Sequence, residues 1–357
     1  MPDLFSILGD DDDAANAVEA ARSEIRYVVT DFSFELLIRK FREDPVTDGD
    51  IYIPEYQRKL AWTRSQMSYF VESLLLRVPV PPIFFFDVKG RLEVVDGSQR
   101  LRTMVAFANS EFRLEGLEKL DVLNGYRFQD LPRELQRRLN NTPVRAFVLD
   151  ESTGASDRAD MFRRLNTSGQ RLQDAEVRKG VFPGPFLDLV LDCATSSEML
   201  AVTPVIGGRG DQESERQELV TRFFVYLDRY NEFRHDVRKF LDAAMGEFNS
   251  DLDPSDIGRM RDEFTRTMRF IAYHSPNAFY RANKSRIVPR VRFEAISVGT
   301  ALALRVDPKM QSPDFSWLES DRFAALVRTD ASNSGPKLRG RIEFVRESLL
   351  GHGQSTQ

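Results

Sequence analysis

The residues best suited to chemistry in this sequence are Asp96, Gly97, Ser98, Gln99 and Arg100, inside the stretch EVVDGSQRLRTMVAF at 93–107. An apolar pair, Val94 and Val95, runs into this polar group, and apolar positions at helical spacing follow it, so the group stands where a strand becomes a helix. Two chemistries fit it. In the first, Asp96 accepts hydrogen bonds from open backbone N–H groups of the helix, Gln99 answers three residues later, and Gly97 allows the turn. That account leaves Arg100 over, because a cation in the first turn opposes the helix dipole by ~0.3–1 kcal/mol. In the second, a phosphate docks at the helix N-terminus. Backbone amides, Ser98, Gln99 and the arginine fork then converge on it, and Asp96 is left to bind a Mg²⁺ carried by the phosphates or to orient a water.

Three further clusters use similar residues. Tyr56, Gln57 and Arg58 lie with Trp62 in IPEYQRKLAW at 53–62, an aromatic and basic loop where small polar residues are usual; singly, Arg58 reads as a surface ion pair and Trp62 as core. In MFRRLNTSGQRLQDAE at 161–176, a helix bearing Arg163 and Arg164 ends at Asn166 to Gly169. Gly169 is a natural helix stop and Asp174 a natural cap for the next helix, which leaves Asn166 and the arginines unexplained. In FYRANKSRIVPRVRF at 279–293, Arg281, Lys284, Arg286, Arg290 and Arg292 occur without an acidic residue, interleaved with Phe279, Tyr280 and Phe293. That pattern suits either a nucleic-acid-binding surface or a solvated helix face balancing an acidic chain. Arg133, Arg137 and Arg138 form a weaker patch of the same kind.

The elements that must hold these residues fall into two halves. The sequence predicts a short strand over 28–32, a helix over 33–41 and a helix over 63–76 with Thr63 and Gln66 at capping-box spacing. A stop at PVPP follows, then a hairpin of strands 83–88 and 91–96, a helix over 98–109, strands at 112–114 and 144–149, and a small helix at 132–140. From 155 onward helices are expected almost throughout, at 155–165, 174–182, 184–193, 213–245, 254–273, 286–304, 315–327 and 338–349. Residues 1–22, with the acidic run Asp10 to Asp13, read as a flexible lead; 23–154 as an α+β domain; 155–357 as an α-helical domain. A chain of 357 residues with 41% hydrophobic content can bury more than one core. The net charge of -5 gives no global attraction to nucleic acid or membrane. The single cysteine, Cys193, excludes a disulfide frame, the three scattered histidines argue against a two-His metal site, and no long apolar run suggests a membrane span. A cytoplasmic protein is expected.

Taken in order, IPEYQRKLAW, a helix, VPVPPIFFF, VVDGSQRL and FRRLNTSGQRLQDAE resemble the domain-of-unknown-function 262 family, the N-terminal domain of GmrS-type modification-dependent restriction proteins, over roughly residues 30–185. The resemblance implies a ParB/sulfiredoxin-like fold with a DGQQR motif, here matched by Asp96, Gly97, Gln99 and Arg100 with Ser98 in place of the commonest Gln. Gln57 and Arg58 match the family's YQR element, and Asn166 and Gly169 its N-x-x-G element. Arg102 departs from the usual Thr. The implied activity is binding, and probable hydrolysis, of an NTP with Mg²⁺ in a prokaryotic antiphage or restriction system. Asp96, Gln99 and Arg100 would be catalytic, and Tyr56, Gln57, Arg58, Gly97, Ser98, Arg163, Asn166 and Gly169 would bind the nucleotide. DNA and an effector or nuclease protein are the implied partners, since the C-terminal HNH nuclease domain of larger members has no counterpart here. The rival readings are a ParB-like adaptor that binds nucleotide or DNA without turnover, and a DNA phosphodiesterase using the same pocket.

Overall fold

The computed structural model describes residues 26–42, 49–54, 62–150, 153–165, 173–206, 212–280, 287–311, 313–328 and 334–351, with Asn16 and Val18 in the leading segment. The chain divides into two compact units, Met1–Arg171 and Leu172–Gln357.

The first unit is α+β. Its strands are β1 (Tyr27–Ser33), β2 (Phe41–Arg42), β3 (Ile51–Tyr52), β4 (Ile83–Val88), β5 (Arg91–Asp96) and β6 (Pro143–Leu149), paired in the order β1-β6-β4-β5-β3-β2. The pairs β1/β6 and β4/β5 are antiparallel and the other three parallel. Lys89 and Gly90 close the β4/β5 hairpin with φ of 55° and 81°, the positive angles that a two-residue hairpin turn needs. The helices are α1 (Phe34–Lys40), α2 (Arg64–Leu75), α3 (Ser98–Ala108), α4 (Arg133–Asn140) and α5 (Ala155–Leu165). The capping box expected at α2 is present, with Gln66 Oε1 accepting from the Thr63 amide at 2.9 Å and Thr63 Oγ1 accepting from the Gln66 amide at 3.3 Å.

Alternation in the strands divides the sheet's two faces. Ile83, Phe85, Val94, Val144 and Ala146 are buried together with apolar residues of α1 to α4, which form one core on that side. On the opposite face, Arg158 of α5 lies over the Phe86 ring at 5.0 Å, and Ala159 and Phe162 are buried. Residues 155–165, which the sequence grouped with the helical half, therefore complete the first unit, because their apolar side covers a sheet face that would otherwise meet water.

Residues 112–114 form no strand. Phe112 and Leu114 are buried, but Leu114 exchanges backbone hydrogen bonds with Tyr126 and Gly125, at 2.9 and 2.7 Å, within a long loop. Buried side chains of α2 hold that loop: Ser68 Oγ accepts from the Glu115 amide at 3.0 Å, and Glu72 Oε1 accepts from Lys119 and Leu120 amides at 2.9 and 2.8 Å. Replacing Glu72 by Leu would leave two donors without their acceptor. It should cost about 2 kcal/mol or more in urea unfolding, and an unchanged midpoint would show the loop to be held otherwise.

The second unit is helical: α6 (Asp174–Val181), α7 (Pro185–Thr195), α8 (Ser197–Val202), α9 (Gln212–Arg229), α10 (Val237–Asp251), α11 (Pro254–His274), α12 (Arg290–Val306), α13 (Asp321–Leu326) and α14 (Gly335–Leu349). The helix expected over 213–245 is two, α9 and α10. Asp236 caps the second by accepting from the Lys239 amide at 3.1 Å. The segment expected over 315–327 is a 3-10 turn, Ser316–Glu319, followed by α13. At Gly299, an added Cβ would come within 2.6 Å of Val345, so glycine sets the close approach of α12 and α14.

Threaded through this unit is a chain of buried charges of alternating sign: Asp242, Arg178, Glu218, Arg222, Glu294 and Arg341. Arg178 donates to Asp242 at 2.8 Å and pairs with Glu218; Arg222 donates to Glu218 at 2.7 Å and to Glu294 at 2.5 Å; Arg341 donates to Glu294 at 2.5 Å. Burial pushes the Glu218 carboxyl up, but Arg178 and Arg222 outweigh it and hold the group far below the usual carboxylate range. A carboxyl lowered in the folded state contributes stability that is present above its unfolded value near 4.5 and is lost as pH falls through the folded one. Denaturant unfolding should therefore weaken from pH 5 toward pH 3, and Glu218→Gln should lose stability at pH 7 and flatten that slope. A slope identical in the variant would contradict the assignment. Removing one member, as in Arg222→Met, should cost about 3–5 kcal/mol, because it strands the charges beside it.

Candidate functional site

The site begins with a register shift. Between Phe84 and Phe85 the β4/β5 pairing slips, so that Phe85 faces Val94 but Phe84 faces Asp96. The extra residue, Val95, forms a bulge that turns the Asp96 carboxylate onto the same face as Phe84. Gly97 follows with φ 98° as the N-cap of α3, a residue with no side chain to cap the helix. The capping role expected for Asp96 is therefore not taken up. Its carboxylate instead accepts from Arg100 Nη2 at 2.6 Å, one helical turn ahead. Arg100 Nη2 also donates to the Pro82 carbonyl at 3.0 Å, and Arg100 Nε is buried without a hydrogen-bond partner. The guanidinium that sequence reasoning left in need of an anion has an internal one. Side-chain exposures of 14% for Arg100 and 30% for Asp96 leave the carboxylate the more accessible of the two.

An L side chain at position 97 is disfavoured twice, by the positive φ and because its Cβ would lie 2.9 Å from Arg100 Nη2 and 3.1 Å from the Ile83 side chain. Gln99 Oε1 accepts from the Trp62 amide at 3.3 Å, and the Trp62 ring packs edge-on against Phe70 of α2 at 5.6 Å. The far end of the IPEYQRKLAW loop is thus tied to the first turn of α3, with Trp62 half-buried in the core as expected. Ser98 is partly exposed beside Gln99. Arg163 lies partly buried on α5, and its neighbour Arg164 pairs with Asp160 at 2.7 Å on the surface.

Of the other expected residues, Tyr56, Gln57, Arg58, Asn166, Gly169, Arg281, Lys284 and Arg286 lie outside the described residues. Of the basic stretch, Arg290 and Arg292 are described, and only Arg292 departs from both readings by being buried. Arg292 is 7% exposed, donates to the Ala278 carbonyl at 2.7 Å and lies over the Phe323 ring at 5.0 Å. Arg290 forms a two-pronged pair with Glu215 at 2.7 Å. Phe279 and Phe293 are buried against each other, 4.7 Å between centroids, as core rather than stacking surface. The carboxylate, carbonyl and ring that answer these arginines lie outside their local stretch or in its main chain, so local composition cannot show them. The Pro82 carbonyl was likewise missed, since a main-chain acceptor leaves no sequence signal.

Among the described residues no group of three or more His, Cys, Asp and Glu side chains is placed to hold a metal. The turn brings together a carboxylate, a guanidinium and a helix start whose N-cap is glycine. Residues 38–183 match the family model described as GmrSD restriction endonuclease, N-terminal domain. The likeness covers this segment of the chain and extends no further. The matched span contains the Asp96 to Arg100 turn, the sheet from β2 to β6, and α5 and α6. No curated protein and no solved structure matches the chain. Among the described residues no helix is long and apolar enough to cross a membrane.

Because Gly97 meets both the backbone and the Arg100 requirement, Gly97→Ala should lower stability by about 1–2 kcal/mol from the left-handed backbone alone. Thermal unfolding checks this, and a variant as stable as the parent would show the turn to be adaptable.

Proposed function

We propose that the GmrSD N-terminal domain of this chain binds a nucleoside triphosphate with Mg²⁺ at the Asp96 to Arg100 turn and hydrolyses it, as a sensor in a prokaryotic restriction or antiphage system. The observation that carries this reading is the start of α3. Its N-cap residue, Gly97, offers no side chain to the helix amides, and it sits beside an arginine whose Nε is buried with no hydrogen-bond partner. Amides at such a helix start are poised for an anion. The Asp96–Arg100 pair is then the resting arrangement. A Mg²⁺-bound triphosphate presents both signs of charge at once, so the carboxylate can pass to the cation and the guanidinium to a phosphate, with neither charge left uncompensated. Mg²⁺ would neutralise charge on the transferring phosphoryl group, and Asp96 is the side chain of the turn that would face it. Arg100 would stabilise charge developing on that group, while Gln99, anchored through Oε1 to the Trp62 amide, would set the position of the first turn and of the attacking water. Nucleotide state would gate contact with DNA or with an effector nuclease.

A second reading has its own support. Arg100 joins Asp96 to the Pro82 carbonyl, so it also serves as a strut between β5 and the start of β4. Arg100→Ala separates the two. Under the proposal it abolishes phosphate release, and stabilisation by Mg²⁺ and NTP, while the fold survives. In the parent protein, ligand at about 100 times its dissociation constant should stabilise by roughly 2.7 kcal/mol. Loss of folding in Arg100→Ala, or no stabilisation by any NTP, would overturn the nucleotide site. Binding without turnover would indicate an adaptor, and Mg²⁺- or Mn²⁺-dependent nicking of DNA a phosphodiesterase.

A further inference from the structure

The face of the first unit's sheet that meets α5 carries two cross-strand rows. One runs from Leu149 through Phe86 to Glu93 and Tyr52, and α5 lies on it, with Arg158 over Phe86. The other runs Val29, Phe147, Phe84, Asp96, from the edge strand to the end of β5. In this second row Phe84 and Phe147 are stacked, 5.0 Å between centroids with planes 11° apart, and Tyr27 leans against Phe147 at 5.6 Å. Both phenylalanines are partly exposed, and Tyr27 and Val29 are 55% and 48% exposed. A centroid spacing close to the separation of neighbouring strands means that the rings stand upright on the sheet, their faces normal to the row. The ladder therefore presents a strip of ring edges, partly in water, and the face of a flat aromatic partner can lie across it edge-to-face.

We propose that this row is the base-binding platform of the nucleotide site: the planar heteroaromatic ring of a nucleotide packs on Phe147, Phe84 and Tyr27 while its phosphates reach the α3 turn. The inference rests on the nucleotide site proposed above and adds which residues hold the base, so that the ring as well as the phosphates contributes to binding. Three observations favour this occupant. The row ends at Asp96, whose carboxylate shares the face only because of the β5 bulge. Its length across four strands, roughly 14 Å at about 4.8 Å per strand spacing, is comparable with an extended nucleoside triphosphate. Arg100 also anchors the carbonyl of Pro82, two residues before Phe84, so the phosphate turn and the ring platform are positioned by one guanidinium.

Calorimetric titration of the full chain tests this, with the four common ribonucleoside triphosphates in Mg²⁺ and inorganic tripolyphosphate as probes. The expected result is that at least one nucleotide binds tenfold or more tightly than tripolyphosphate. Phe147→Leu, which keeps apolar volume but removes the ring, should shrink that preference about fivefold or more and leave tripolyphosphate affinity unchanged. Tyr27→Ala, at a mostly exposed position, should act in the same direction and guards against a folding defect in the first variant. Equal binding of nucleotide and tripolyphosphate, or a preference untouched by both variants, overturns the platform while the phosphate site stands. Absence of binding by every probe overturns the phosphate site and the platform with it.

Discussion

The structure of the first unit turns on how the chain passes from β5 into α3. An extra residue in β5 brings Asp96 opposite Phe84, Gly97 supplies a left-handed turn, and the helix that follows carries in its first turn an arginine whose charge is unfavourable there unless answered. Asp96 answers it at 2.6 Å, and the Pro82 carbonyl shares the same nitrogen. One guanidinium therefore ties together the end of β5, the start of β4 and the first turn of α3. Each of those elements also contributes to the core beneath, through Val94, Ile83 and Leu101. The Asp96 carboxylate does not cap the helix because it is spent on the arginine.

The same pair explains how a structural motif and a ligand site can coincide. An ion pair that is mostly buried but open at the carboxylate is stable in the absence of ligand, and it can exchange both partners when a ligand supplies a cation and an anion together. An isolated anion would have to displace Asp96 without compensation, which low local polarity makes costly. Under the proposed function, a preference for a metal-bound phosphate over a free one would follow from that asymmetry. The buried charge chain of the second unit lacks such an opening. Each of its members faces another across packed helices, which suits it to fixing helix register rather than to binding.

Much of the fold was legible in the sequence because the signals were local. The capping box of Thr63 and Gln66, the hairpin around Lys89 and Gly90, and the periodicity of α3 all lie within a few residues of their partners, and all are present. The two-residue strands β2 and β3 were missed because their pairing is decided across the sheet and no run that short carries a pattern. The break between α9 and α10 was missed because apolar spacing continues through it. At the site, the residue types at 96–100 marked the turn correctly, but the sequence could not rank competing partners for them. Asp96 had the spacing of a cap and was taken by Arg100. Arg292 read as part of a solvent-facing basic patch, yet Ala278 and Phe323 draw it inside. In both cases the deciding contact depends on three-dimensional placement that composition does not encode.

The central claim is that the Asp96–Arg100 pair exchanges partners when a Mg²⁺-bound nucleotide arrives. The most direct measurement is the ¹⁵Nε–¹H resonance of Arg100 in arginine-labelled protein, assigned by substitution and followed during titration with Mg²⁺ and NTP. The account predicts that this resonance shifts and becomes protected from solvent exchange as its buried, unpartnered N–H gains an acceptor. A resonance unmoved at saturating nucleotide would show that Arg100 stays bound to Asp96 and that the turn is a structural strut alone.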